Sequence, residues 1–122
     1  RSYYPEFDGE EYGLTNSDSA TVEKGMAIVK TSINSIRRAK QSDGYIDGIA
    51  IDTICFGQKG RIITKGKIFN SSSTSISIYP TLTLSYGDKI SVDADNDGMF
   101  IKSNTSPVLK ALGSGIVEII NP

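Results

Sequence analysis

Tyr45-Ile46-Asp47-Gly48-Ile49-Ala50-Ile51 is rich in β-branched and apolar residues and is too short for a helix that packs well. A strong turn signal, Ser42-Asp43-Gly44, precedes it, and a second, Gly57-Gln58-Lys59-Gly60, follows. The segment therefore reads as a strand, and the chain around it repeats the pattern. Upstream, Met26-Ala27-Ile28-Val29 is a short apolar run after Gly25, and Asn34-Ser35 supplies turn chemistry between strands. Residues 20–40 also hold enough helix formers to allow one helical turn. Downstream, Arg61 to Phe69 reads as a strand pair or a bulged strand with Gly66 at the irregular point. Asn70 to Ser75 reads as a loop. Ile76 to Leu84 alternates but contains Pro80, which predicts an edge strand or a break. Gly87-Asp88-Lys89 turns into Ile90-Ser91-Val92, Asn96-Asp97-Gly98 into Met99-Phe100-Ile101, and Gly115 leads into a last strand ending at Ile120.

No amphipathic helix of useful length emerges. Short strands at close, regular spacing predict an all-β fold: a small barrel or sandwich. Residues 20–122 are expected to form a single β domain. Residues 1–19 are polar without sustained periodicity and read as an irregular N-terminal arm, ordered only where it docks.

The chain has 122 residues, 13 basic and 14 acidic, one cysteine and no histidine. That length fits one domain with a core of its own. No basic stripe stands out, so nucleic acid is not expected as the main partner. No window approaches the ~18 apolar residues of a membrane span, and no signal-peptide pattern is visible. A start at Arg1 fits a processed product or an excerpt. Cys55 sits in the apolar run Ile49 to Phe56 and reads as a buried, inert thiol. Without histidine, the usual base for nucleophilic or acid–base catalysis is missing, so no enzyme activity is expected.

The two halves echo each other. Lys24 to Val29, Ile36 to Lys40 and Tyr45 to Ile51 are matched by Tyr86 to Val92, Gly98 to Lys102 and Leu112 to Ile119. In each half a glycine precedes a short strand, a turn and second strand follow, and a Gly-β-branched strand ends the set. Pairing two such halves is expected to close a small barrel. The stretches "ATVEKGMAIV" (20–29), "RRAKQSDGYIDGIAI" (37–51), "GQKGRIITKGKIF" (57–69) and "YGDKISVDADNDGMFIKS…KALGSGIVEII" (86–120) carry a family likeness. Over residues 20–120 the chain resembles the capsid decoration and head-fibre domains of tailed bacteriophages. The resemblance implies a virion surface protein, often oligomeric and here expected as a homotrimer, that binds capsid protein and catalyses nothing. The family has no shared catalytic motif to carry over.

Candidate docking residues are Tyr3, Tyr4, Phe7 and Tyr12 of the arm, and the basic pair Arg37 and Arg38 for an acidic capsid patch. Asp93-Ala94-Asp95-Asn96-Asp97-Gly98 places Asp93, Asp95 and Asp97 like the first ligands of a calcium loop, making them a weak calcium candidate. The twelfth position is Asn104 instead of a bidentate glutamate, and the flanks read as strands. A hairpin turn with solvated carboxylates is the simpler reading, and no cofactor is expected. Asp43, Asp47 and Asp52 read as surface carboxylates. The alternative to a capsid module is a receptor- or glycan-binding β module of a phage fibre or bacterial surface protein.

Overall fold

In a computed structural model, residues 9–65, 67–70 and 76–120 are described. The fold is all-β, as the short glycine-bounded runs predict. The first half holds β1 (Glu10–Asn16), β2 (Ala27–Ser32), β3 (Ser35–Arg38), β4 (Gly48–Ala50) and β5 (Lys59–Ile63). The second holds β6 (Lys67–Phe69), β7 (Lys89–Val92), β8 (Phe100–Lys102), β9 (Leu109–Gly113) and β10 (Ile116–Ile119). A single 3₁₀ turn at Gln41–Asp43 is the only helix among the described residues.

The halves share one topology. β2 pairs with β3 and β4, β4 with β5, and β5 with β1, all antiparallel. In the second half β7 pairs with β8 and β9, β9 with β10, and β10 with β6, again all antiparallel. These antiparallel pairings thus repeat, strand for strand, those of the counterparts five places earlier. The registers agree as well. The cross-strand row Glu10–Ile63–Ile49–Ala27 has the counterpart Lys67–Glu118–Lys110–Lys89. The next row, Glu11–Ile62–Ala50, has the counterpart Ile68–Val117–Ala111.

This pairing corrects part of the repeat read from the sequence. The strand after Tyr45 corresponds to β9, whereas the final strand, β10, corresponds to β5. The two halves also do not close one barrel together. The first half closes on itself, because β1 pairs in parallel with β3 at Thr15↔Ser35 and Asn16↔Ile36. In the second, the space between β6 and β8 is bridged by an extended segment. Tyr79 O accepts the Phe100 N–H at 3.0 Å, and the Asn70 carboxamide clasps the Leu82 backbone, taking its N–H at 2.7 Å. Neither an edge strand nor two short strands broken at Pro80 form here: residues 76–84 contribute no named strand, which corrects the strand read from their alternation.

The barrel interior holds Leu14, Val22, Met26, Ile28, Ile36, Ala50, Ile54 and Ile62. The alternate residues of the same strands, Ala27, Val29, Ile49, Ile51 and Ile63, join a second core with Ile68, Ile90, Val92, Leu109, Ala111 and Val117. Successive side chains on a strand point to opposite faces, so the wall of the first barrel is buried on both sides. The inner face of the second sheet packs on the outside of that wall.

Glu10–Asn16 is therefore a barrel strand, which corrects the irregular arm expected there; residues 1–8, with Tyr3, Tyr4 and Phe7, lie outside the described residues. The strand escaped notice because its alternation is interrupted. The register shifts between Glu11 and Leu14, around Gly13 at φ +75°. Cys55 is also corrected: it is exposed. Ile54 takes the inward position through its bridge to Val22, so the next residue turns outward. Gly66 and Ser71–Ser75 lie outside the described residues.

Candidate polar cleft between the halves

Arg37 and Arg38 end β3, where neighbouring side chains leave opposite faces of the strand. Each meets its own carboxylate. Arg37 makes a two-pronged pair with Asp43, donating from Nη1 and Nη2 at 3.0 and 2.9 Å. Asp43 also accepts the Lys40 N–H at 2.7 Å, tying the 3₁₀ turn to the strand. Arg38 donates from Nε to Asp18 at 2.8 Å, and Asp18 accepts the Arg38 backbone N–H at 3.1 Å. The Arg37 hydrogen bond is the main reason the Asp43 carboxyl is held below the usual carboxylate range. For Asp18, burial pushes upward, but the bonds from Arg38 and the Ala20 N–H outweigh it and the net direction is down.

Around these pairs lies a shallow cleft lined by Ser17, Asp18, Thr31, Arg37, Arg38 and Asp97. Asp97 comes from the second half. The β7–β8 loop that carries it is wedged into the first half by Gly98, whose N–H donates to Ala39 O at 2.7 Å while its carbonyl accepts the Ala27 N–H at 2.8 Å. At φ +79° a Cβ on Gly98 would crowd Met26 Sδ and the Arg38 side chain. The Asp18 hydrogen bond is the main reason the Arg38 pKa is raised, and the Asp97 charge adds to it. The structure thus brings together residues singled out for two separate reasons: the basic pair Arg37 and Arg38, and Asp97 of the acidic turn.

Asp93 and Asp95 stay in the exposed loop. Asp93 accepts the Asp95 N–H at 2.9 Å and the Asn96 side-chain amide at 3.2 Å, building a local turn. Among the described residues no three histidine, cysteine or carboxylate side chains converge as a metal site. Asp52 pairs with Arg61 at 2.8 Å, and Asp47 accepts the Lys30 backbone N–H at 2.7 Å. Tyr12 is 60% exposed on β1. Asp18 was missed because it falls in the stretch read as an arm, and nothing local to Asp18 announces a partner twenty residues away.

Chemically the cleft offers hydroxyls and guanidinium groups already oriented by carboxylates. Such an arrangement suits the presentation of a fixed polar surface. No helix among the described residues is long and apolar enough to cross a membrane. No family model matches the chain, and neither the curated proteins nor the solved structures contain a match.

Proposed function

We propose that this chain is a non-enzymatic virion structural protein, a capsid decoration or head-fibre module that docks as a homo-oligomer on the assembled capsid. The observation that carries the reading is the doubled topology. Two copies of one five-strand plan, punctuated by glycines in the stretches that resemble the phage family, are stacked through a continuous apolar core. Beside their junction Arg37 and Arg38 are each locked to a carboxylate of the first half. Such a body is suited to covering a surface, where affinity comes from many weak contacts repeated over a lattice. With Asp18, Asp43 and Asp97 offsetting Arg37, Arg38 and Lys40, the cleft would hold an acidic patch through directed guanidinium and ammonium hydrogen bonds more than through net charge.

Mixing the purified chain with bare capsids, and sedimenting them across a range of salt, tests this. Retention in the capsid pellet that weakens with added salt is expected. A chain that stays in the supernatant at every salt concentration sinks the proposal.

A further inference from the structure

We infer that the solvent face of the second sheet, where Lys89 and Lys110 stand side by side next to a pocket at the Ser103–Asn104 loop, is a binding site for a phosphate or sulfate group. The site goes beyond the reading above. It is also separate from the Arg37–Arg38 cleft, since Lys89 begins β7 and Asp97 lies in the loop after that strand.

Lys89 and Lys110 are direct cross-strand partners in the β7–β9 ladder. The bonds around them fix the kind of pair. Lys89 turns its carbonyl to β8, accepting the Ser103 N–H at 3.1 Å, and the neighbouring bond to β9 runs from the Ala111 N–H to Asp88 O at 2.8 Å. The lysines thus form a non-hydrogen-bonded pair, the kind with Cα atoms only about 4.5 Å apart and side chains closest together. The next pair, Ile90 and Leu109, is buried in the core, so both lysines leave the solvent face. Like charges directly opposite each other destabilise a sheet.

The fold does not require this arrangement. The corresponding pair in the first half is Ala27 and Ile49. A solvent face needs only polar side chains, and a glutamate at either position would turn repulsion into attraction. The row Lys67–Glu118–Lys110–Lys89 instead holds three lysines and one carboxylate. Among the described residues neither Lys89 nor Lys110 makes an ion pair. An anion supplies the missing charge.

Beside Lys89 lies an open pocket of about 350 Å³, lined also by Gly87, Asp88, Lys102, Ser103 and Asn104. Its one carboxylate is engaged: Asp88 accepts the Ser85 N–H at 2.7 Å and pairs with Lys102 at 3.3 Å. Ser103 Oγ accepts the Thr105 N–H at 3.0 Å, which leaves its O–H to donate. The fully buried Ser91 holds this loop in place, its Oγ 3.1 Å from Ser103 O and 2.5 Å from Thr105 O. Ammonium groups beside a hydroxyl and a carboxamide are the donors a tetrahedral oxyanion takes, with lysine acting as a point charge. Two negative charges placed there convert the repulsion between β7 and β9 into attraction.

Titrating inorganic phosphate into the isotope-labelled chain at constant ionic strength, followed by amide shifts, tests this. Saturable shifts at Lys89, Ser103, Asn104 and Lys110 are expected. Lys89→Gln should weaken phosphate binding by about tenfold, the worth of one charged hydrogen bond. Because it removes the repulsion, it should also raise the phosphate-free melting temperature by about 1–2 °C at low salt. A lysine that merely supported the fold would lower it when replaced. Shifts that never saturate, undiminished affinity in Lys89→Gln, or a lower melting temperature in that variant each overturn the inference. Dextran sulfate distinguishes the source of the group. Binding far tighter than that of inorganic sulfate assigns the site to an ester on a polymer, and equal binding per sulfate assigns it to the free ion. Equal binding of neutral dextran overturns the inference.

Discussion

The two halves share strand order and register but bury different amounts of the same lattice. Ile49 and Ile63 in the first half are shielded on the outer face of the barrel wall, while their counterparts Lys110 and Glu118 face solvent in the second. The next positions, Ile62 and Val117, are fully buried in both. One backbone plan thus supports a wall with two dry faces and a sheet with one. The difference is written in side-chain alternation. Ala27-Ile28-Val29 and Ile49-Ala50-Ile51 are unbroken apolar runs, whereas Lys89-Ile90-Ser91-Val92 and Leu109-Lys110-Ala111 alternate. The teaching is that a repeat can be re-used by stacking its inner face on its predecessor's back, provided the last back is charged.

The strongest way to break this comparison is to copy one half into the other. Ile49→Lys inserts the second half's residue into the first and buries an unpaired ammonium. A loss of more than about 4 kcal/mol, enough to unfold the chain in a denaturant titration, is expected. The reverse change, Lys110→Ile, should move stability by no more than about 0.5 kcal/mol. Similar costs for both would mean that the two faces are not differently buried.

A sharper test uses paired glycines. Gly25 and Gly87 each lie two residues before the first strand residues Ala27 and Lys89, at φ +92° and +88°. A Cβ on Gly25 would overlap the Ser77 carbonyl oxygen and press on the Tyr79 nitrogen, because the first half's turn is packed under the second's covering segment. Nothing lies within 4 Å of a Cβ on Gly87. Gly25→Ala should therefore cost about 3 kcal/mol or more, strain plus overlap, and Gly87→Ala only the strain of about 1–2 kcal/mol. Thermal melts of both variants measure it, and equal shifts would contradict the packing described.

The smallest effect concerns acid. Asp18, Asp43 and Asp52, each paired to an arginine within the first half, have carboxyl pKa values lowered on folding; for Asp52 the Arg61 hydrogen bond is the main cause. A lowered folded-state pKa means the stabilisation is complete above the unfolded pKa, about 3.9, and disappears as pH falls through the folded value. The pairs are partly exposed, so each contributes at most about 1 kcal/mol. Melting temperature followed from neutral pH into acid should drop below about pH 4, and less steeply in an Asp18→Asn/Asp43→Asn/Asp52→Asn variant. In the second half Asp88 is half-buried and is held low by the Ser85 N–H and Lys102, so Asp88→Asn should also flatten the acid limb, by less than the triple variant does. An unchanged slope in the triple variant would remove these pairs from the account.

Much of the fold is legible locally. Glycine before Met26, Asp-Gly at 43–44 and Asn-Asp-Gly at 96–98 announce turns, because few other residues tolerate the backbone they need. The candidate cleft is less legible. Arg37 and Arg38 stand out as a basic pair, but their partners Asp43 and Asp18 are indistinguishable from other surface carboxylates until the chain folds. β1 is hidden by its bulge at Gly13, and the exposure of Cys55 depends on which neighbour takes the inward side.

The amino-acid order alone determined that the chain is β, where it turns and that its pattern occurs twice, since these follow from backbone preference and side-chain period over a few residues. Only tertiary structure decided that one copy closes on itself while the other lies across its back. That choice depends on contacts between strands far apart in the chain, such as β1 with β3 and Gly98 with Ala27 and Ala39, for which no local pattern carries a signal.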